Sequence, residues 1–310
     1  MPLVTALLLL SSFIKGQKSE GIIFFDQSPL LNIFIPNGIS FIPSIIINFL
    51  IIIFICFLLL HINAKFSFVK ERTFLPVYLF LFITLSVINL HVLNPTIISS
   101  VFIILSIQSL FNAFDKKNTI PNLFDASFLI GIAGLFSFYS IVFIMLVPIS
   151  IFILSGKITW RSIVVPISGI MLPWALLSSL LYVFSDPNIL YESVKFALII
   201  EGEKILHSLN AQIYFAYLLL ITSFASIFML LHYAEKSIST RKFFKILFYF
   251  FVLSVVLLLS SYASIEIMAI MAIPLVYLLT NYLLLMKRRK WAEIFFTVLI
   301  IISIVVQLIE

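Results

Sequence analysis

Residues 124–155, FDASFLIGIAGLFSFYSIVFIMLVPISIFILS, form an apolar run whose path decides how the rest of the chain is arranged. As a single α-helix, its roughly 32 residues would be about 48 Å long, whereas the hydrocarbon core of a bilayer is about 30 Å thick. The alternative is two short helices that turn near Ser137 to Ser140. Because the choice reverses the direction of every later segment, it decides the topology.

The remainder of the chain is also strongly apolar. Of 310 residues, 63% are hydrophobic and 10% are charged, against about 45–50% and about 25% in soluble domains. Apolar runs that approach the roughly 20 residues needed to cross a bilayer recur throughout. We therefore expect an all-α fold: a polytopic transmembrane helical bundle in which residues 1–310 form a single transmembrane domain.

About eleven helices are expected to cross the membrane. The candidate spans are residues 2–14, 43–61, 73–91, 96–113, 124–138, 140–155, 162–183, 211–232, 244–262, 267–286 and 291–308. Residues 2–14 also resemble the apolar core of a signal peptide, but no positive residue precedes them, so we interpret them as a short first helix. Asp125 is expected to cap the N-terminus of the fifth helix.

The basic residues distinguish the two paths of residues 124–155. Lys and Arg collect on the cytoplasmic side of membrane proteins. With two helices and a cytoplasmic N-terminus, fifteen Lys and Arg residues are cytoplasmic and four are outside, whereas a single helix gives seven and twelve. The charge pattern therefore favours two helices and a multi-pass protein whose N-terminus is cytoplasmic.

Two segments, about residues 15–42 and 184–210, are long enough to act outside the membrane. Both then face the exterior. They hold six of the thirteen acidic residues: Glu20, Asp26, Asp186, Glu192, Glu201 and Glu203. These external loops are therefore where we expect any chemistry.

The first external loop supplies the candidate catalytic residues, Asp26 and Glu20. Residues 29–42 are apolar enough to lie on the membrane surface but are broken by Pro36 and Gly38. A carboxylate held just above the acyl boundary is partly desolvated, which raises its pKa toward the range of a general base. Asp26 is the better placed of the two, and its alternative role is that of a solvated loop carboxylate or a helix cap.

The second external loop supplies candidate substrate-binding residues: Lys195, Glu201, Glu203, Lys204 and His207. If this loop is helical, Glu203 and His207 share a face, an arrangement compatible with a divalent cation or a phosphate-linked site. An ordinary solvated helix is the alternative. No other cofactor and no defined metal site are predicted.

Several classes of function are disfavoured by the sequence. The HExxH, GxxxxGK[ST] and GxSxG signatures of many soluble enzymes do not occur. Cys56, the single cysteine, cannot form an intrachain disulfide. The basic residues stand singly or in short groups between apolar spans, so the expected partner is membrane lipid and not nucleic acid, while protein partners remain unspecified.

Four stretches carry a resemblance to a known family. They are Asn63 to Tyr78 (NAKFSFVKERTFLPVY), the pair Asn94-Pro95, Leu123 to Leu135 (LFDASFLIGIAGL) and Trp160 to Trp174 (WRSIVVPISGIMLPW). Together they resemble a family of multi-pass inner-membrane proteins of Bacteroidota that is defined by a domain of unknown function. The resemblance extends over most of the chain and implies no particular activity.

The arrangement is also distantly similar to the C-type glycosyltransferases, polytopic enzymes that take sugars from polyprenyl-phosphate donors. The similarity implies that Asp26, with Glu20 as its substitute, deprotonates the acceptor. Lys195, Lys204 or His207 would contact the lipid phosphate of a polyprenyl-phosphate sugar. The paired acidic motif usual in the first external loop of that family does not occur here.

This similarity implies a glycosyltransferase-like membrane protein with glycosyltransferase-C-like topology that acts in envelope glycan or lipid assembly. The alternative is a non-catalytic membrane scaffold or assembly partner. A transporter comes third, because the polar residues within spans are mostly amides and hydroxyls and not the acids or bases of a proton relay.

Overall fold

The computed structural model describes residues 22–23, 25, 28–68, 73–87, 91–114, 116, 118–156, 159–184, 188–199, 209–231, 236–260, 265–286 and 289–309. These residues are helical apart from short connections and one pairing of two-residue strands, β1 (Ile22–Ile23) and β2 (Ile39–Ser40). The helices are α1 (Pro29–Phe34), α2 (Phe41–Phe66), α3 (Leu75–Leu85), α4 (Pro95–Asn112), α5 (Ile120–Phe136), α6 (Leu146–Ser155), α7 (Trp160–Phe184), α8 (Asn188–Ile199), α9 (Leu209–Leu231), α10 (Ile238–Leu258), α11 (Met268–Leu285) and α12 (Arg289–Ile309).

Membrane-length apolar helices dominate the described part of the chain. Six elements are long and apolar enough to cross a bilayer: Phe41–Phe66, Pro95–Asn112, Phe138–Ser155, Trp160–Val183, Gln212–Met229 and Ile265–Leu285. The helices α3 and α5 and residues 293–303 of α12 are shorter apolar helices. The prediction of an all-α protein with helices suited to a membrane is confirmed, and the predicted span 2–14 lies outside the described residues.

The chain breaks at Ser137, as the two-helix path predicts. Ser137 is extended, with φ −134° and ψ 108°, and a 3-10 helix, Phe138–Met145, follows it and leads into α6. A Cβ built on Gly134 would lie 2.5 Å from Ile141 Cγ1. Residues seven apart in a continuous helix are about 10 Å apart along the axis, so the chain folds back on the end of α5.

The helices α5 and α7 run in the same direction, which requires the chain between them to return. Gly131 of α5 faces Ile170 and Pro173 of α7, and Gly134, one turn later, faces Trp174. Residue numbers therefore rise together along both helices. With about 2.0 Å per residue in the 3-10 helix and 1.5 Å in α6, the returning segment is roughly 31 Å long, enough to cross a bilayer.

The helix α11 forms the centre of the bundle, and α2 and α7 lie at its edge. Every residue from Met268 to Leu283 is buried, and α11 contacts α3, α4, α9 and α10. In contrast, α7 leaves large apolar side chains such as Ile167 and Met171 exposed. An apolar surface of this extent is unfavourable in water and suits the acyl chains of a bilayer.

Positive charge is concentrated at one end of the bundle. We call it the basic end; it is formed where α2, α4, α6 and α11 end and where α5, α7, α10 and α12 begin. Its described basic residues are Lys65, Lys116, Arg161, Lys236, Arg241, Lys242, Lys245, Arg289 and Lys290. The opposite end, here called the loop end, holds β1, β2, α1 and α8, and of the described basic side chains it has Lys195.

Candidate functional site

A small folded unit covers the loop end. Its strands pair antiparallel, with Ile22 opposite Ser40 and Ile23 opposite Ile39, and α1 lies between them in sequence. Ser28 caps α1 by accepting a hydrogen bond from Leu31 N at 3.4 Å, and Pro29 suits the first turn because it lacks an N–H. Local capping and turn chemistry therefore build this unit.

Apolar burial fixes the unit to the bundle. Phe25 and Leu31 are buried against Leu93, which immediately precedes α4 and its cap. Ser44, in the first turn of α2, accepts a hydrogen bond from Leu93 N at 2.8 Å. The described part of residues 15–42 is thus attached to the starts of both α2 and α4.

The two predicted external loops meet at the loop end. The helix α1 from the first loop contacts both α5 and α8, and α8 is the described helix of the second loop. The exposed residues Tyr191, Glu192 and Lys195 lie on α8, where Ser193 is buried. The candidate functional site therefore has two parts. One is the apolar unit formed by β1, β2 and α1, and the other is α8, which carries the exposed carboxylate of Glu192 and the exposed ammonium group of Lys195.

Of the predicted site residues, Lys195 is described, exposed and on α8. The others, Glu20, Asp26, Glu201, Glu203, Lys204 and His207, lie outside the described residues. Phe25 and Ser28, on either side of Asp26 in the chain, are both buried, and Ser28 N donates a hydrogen bond to Phe25 O at 2.9 Å. Within the described ranges, three His, Cys, Asp or Glu side chains do not come together as a group suited to a metal ion.

Polar contacts hold the helices together just below the loop end. The hydroxyls of Ser99, in α4, and Ser140, in the 3-10 helix, are 2.5 Å apart, and both side chains are buried. Asn94 caps α4 by accepting from Thr96 N at 2.8 Å. Each of these polar groups has a hydrogen-bond partner. Their role is therefore to join helices and to cap α4.

The basic end is filled by aromatic rings. Phe243 of α10 has its ring centroid 4.7 Å from that of Phe111, 5.3 Å from Phe66 and 5.5 Å from Phe114. Phe68 adds contacts to Phe111, Phe243, Phe244 and Tyr277. This aromatic cluster, made up of Phe66, Phe68, Phe111, Phe114, Phe243, Phe244 and Tyr277, joins the ends of α2 and α4 to α10 and α11.

Lysines surround the aromatic cluster. Lys242 Nζ lies 5.4 Å from the ring centroid of Phe114 and donates to Leu154 O at 2.6 Å, which joins the end of α6 to the start of α10. Lys236 Nζ lies 4.7 Å from the Phe244 ring and donates to Asn281 Oδ1. These contacts tie the positive charges to the packed end of the bundle through cation–π interactions and hydrogen bonds.

Sequence reasoning did not find this cluster. A signal was present, because FSF at residues 66–68 and FF at residues 243–244 each stand beside lysines between apolar spans. The rings that contact each other belong to helices far apart in the chain. The spacing of residues in the sequence does not reveal these contacts.

Comparison with known protein families identifies the family of the chain. The model of a family described as a family of unknown function, DUF6427, matches residues 30–309. No curated protein and no solved structure matches the chain. The prediction of an uncharacterised family is confirmed.

Proposed function

We propose a function for this chain, which belongs to the family of unknown function DUF6427. The proposal is that it is a multi-pass protein of the bacterial inner membrane that transfers a sugar from a polyprenyl-phosphate donor at its loop end. The observation that carries the proposal is the contact between α1 and α8, which joins the two segments that together hold six of the thirteen acidic residues.

The distribution of charge supports an orientation. The basic end holds Lys65, Lys116 and Lys242 among its described cations, whereas the loop end has Lys195. Since Lys and Arg remain on the cytoplasmic side, the basic end faces the cytoplasm and the loop end faces the exterior in this proposal. The aromatic cluster then lies at the cytoplasmic end of the bundle. The substrate binds at the opposite end, on the outer side of the membrane.

The position of α1 suits a substrate that resides in lipid. The helix is apolar, with Phe34 73% exposed and Leu31 buried, and it lies at the end of the bundle, where it contacts α5 and α8. Such an element can sit at the boundary between headgroups and acyl chains. A polyprenyl phosphate whose chain lies in the bilayer would hold its phosphate and sugar at this same boundary, beside α1.

In the proposed chemistry, Asp26 accepts the proton of an acceptor hydroxyl, with Glu20 as its substitute. The acceptor oxygen then bonds to the anomeric carbon as the bond from that carbon to the phosphate oxygen breaks. The polyprenyl phosphate leaves with the electron pair. Lys195, Lys204 or His207 would contact the leaving phosphate. If a divalent cation takes part, Glu203 and His207 would hold it, and the phosphate contact would then fall to the lysines.

The proposal is tested by transfer with purified protein in lipid nanodiscs. Radiolabelled polyprenyl-phosphate mannose and polyprenyl-phosphate glucose serve as donors, and membranes from a strain lacking the gene serve as the source of acceptor. We expect label to move from lipid to membrane glycan only when the protein is added. If neither donor loses label while folded protein is present, the enzymatic proposal fails and a scaffold becomes the better account.

A further inference from the structure

A cavity of about 420 Å³ lies between α9, α10 and α11 near the basic end. Its volume falls within the range of roughly 300–1,000 Å³ that is usual for ligand sites. The cavity is lined by Ser226, Met229, Phe244, Lys245, Phe248, Tyr249 and Leu278. This lining is apolar except for two hydroxyls and one ammonium group, so it fits an apolar chain that carries a polar head.

Three cations lie around this cavity. Lys245 lines it and is exposed, and among the described residues none accepts a hydrogen bond from its ammonium group. Arg241 lies one turn earlier on the same face of α10. Lys236 rests against the ring of Phe244, which is itself a lining residue.

The charge beside the cavity favours an anionic ligand. The sequences of α9, α10 and α11 contain no Asp or Glu. Glu235, the nearest acid in the sequence, lies outside the described residues. Positive charge next to an apolar cavity attracts a ligand whose head is negative and whose body is apolar.

The surface beyond Lys245 faces lipid. On the same side of α10, Phe248 is 38% exposed, Val252 39% and Val256 61%, so an apolar strip runs from the cation toward the middle of the helix. We propose that this cavity binds an anionic phospholipid, with an acyl chain in the cavity and the phosphate against Lys245. The site is at the opposite end of the bundle from the proposed transfer site and does not depend on it.

The headgroup is tested first, by native mass spectrometry of the full-length protein in detergent with added phosphatidylglycerol or phosphatidylcholine. We expect phosphatidylglycerol to be retained preferentially. Lys245→Gln should weaken phosphatidylglycerol binding about fivefold, the effect of one cation near an anionic headgroup. Arg161→Gln removes an exposed positive charge at the same end but on α7, and should leave binding unchanged. Equal binding by the wild type and Lys245→Gln would overturn the proposal.

The cavity is tested by a matched pair of serines on α9. Ser226 Oγ donates to Thr222 O at 2.8 Å and Ser223 Oγ donates to Leu219 O at 2.7 Å, but only Ser226 is among the lining residues. Ser226→Leu should fill the cavity and lower phosphatidylglycerol retention, whereas Ser223→Leu, at an exposed position, should not. Equal losses in both variants would contradict an acyl site in this cavity. If Ser226→Leu does not fold, the Lys245→Gln comparison alone decides.

Discussion

Replacing Asp26 by Asn is expected to lower sugar transfer by about 10²–10⁴-fold, the usual contribution of a general base. The amide keeps the size and hydrogen-bonding capacity of the side chain but cannot take a proton from the acceptor. The measurement is the initial rate of label transfer from polyprenyl-phosphate mannose or glucose, with the variant protein purified in nanodiscs. Glu20→Gln is expected to have a smaller effect, since Glu20 is the substitute in the proposed chemistry.

The matched control is Asp125→Asn. Asp125 is exposed in the second turn of α5, near the basic end, so its loss removes one carboxylate without touching the loop end. It should retain the wild-type rate. If Asp26→Asn transfers sugar as fast as Asp125→Asn, with both proteins folded and equally abundant, Asp26 is not the base.

Gly131→Leu is expected to destabilise the bundle more than any other substitution proposed above. A Cβ at this position would lie 2.7 Å from Pro173 Cγ and 2.9 Å from Ile170 O, and the latter is backbone that cannot rotate away. Overpacking of a buried site costs about 1–3 kcal/mol and occasionally more. A leucine here must push α5 away from α7, so we expect the upper part of that range and a clear fall in the unfolding temperature in detergent.

Gly156→Asn is the control for that substitution. Gly156 has φ +70°, a conformation that asparagine tolerates better than most residues, and a Cβ there meets nothing within 4 Å. Its unfolding temperature should stay close to that of the wild type. An unfolding temperature of Gly131→Leu equal to that of Gly156→Asn would mean that α5 and α7 are not in close contact.

Length and charge were sufficient to predict the turn at Ser137. A single helix over residues 124–155 exceeds the bilayer thickness, and the distribution of Lys and Arg favours two crossings. The 3-10 geometry of Phe138–Met145 was not predicted. It depends on how Ser140 and Ile141 meet α4 and the end of α5, and those contacts join segments that are separate in the sequence.

The predicted cap at Asp125 was wrong. The helix α5 begins at Ile120, where Asn118 Oδ1 accepts from Ile120 N at 3.2 Å and Pro121 occupies the first turn. Asn122 is held by a contact with α4, since Ser109 Oγ donates to Asn122 O at 3.0 Å. Asparagine followed by threonine and a proline in the first turn was the better start signal in the sequence.

The contact between the two loop segments was not predicted. Acidic residues between long spans pointed to residues 15–42 and 184–210, and α1 and α8 of these segments contact each other. The burial of Phe25 and Leu31 against Leu93 was not predicted, because it pairs residues about sixty positions apart. The cavity beside Lys245 likewise needs three helices in place, and no local pattern specifies it.

The most direct test of the account is the side of the membrane on which the loop end lies. Cys56, the single cysteine, is replaced by alanine, and one new cysteine is introduced at either of two exposed positions, Lys195→Cys on α8 or Lys116→Cys at the basic end. Intact cells, with the outer membrane permeabilised, are then treated with a thiol reagent that does not cross the inner membrane. The account predicts that the cysteine at position 195 is labelled at once and that the cysteine at position 116 is labelled only after the inner membrane is opened; the reverse pattern would place the loop end in the cytoplasm and contradict it.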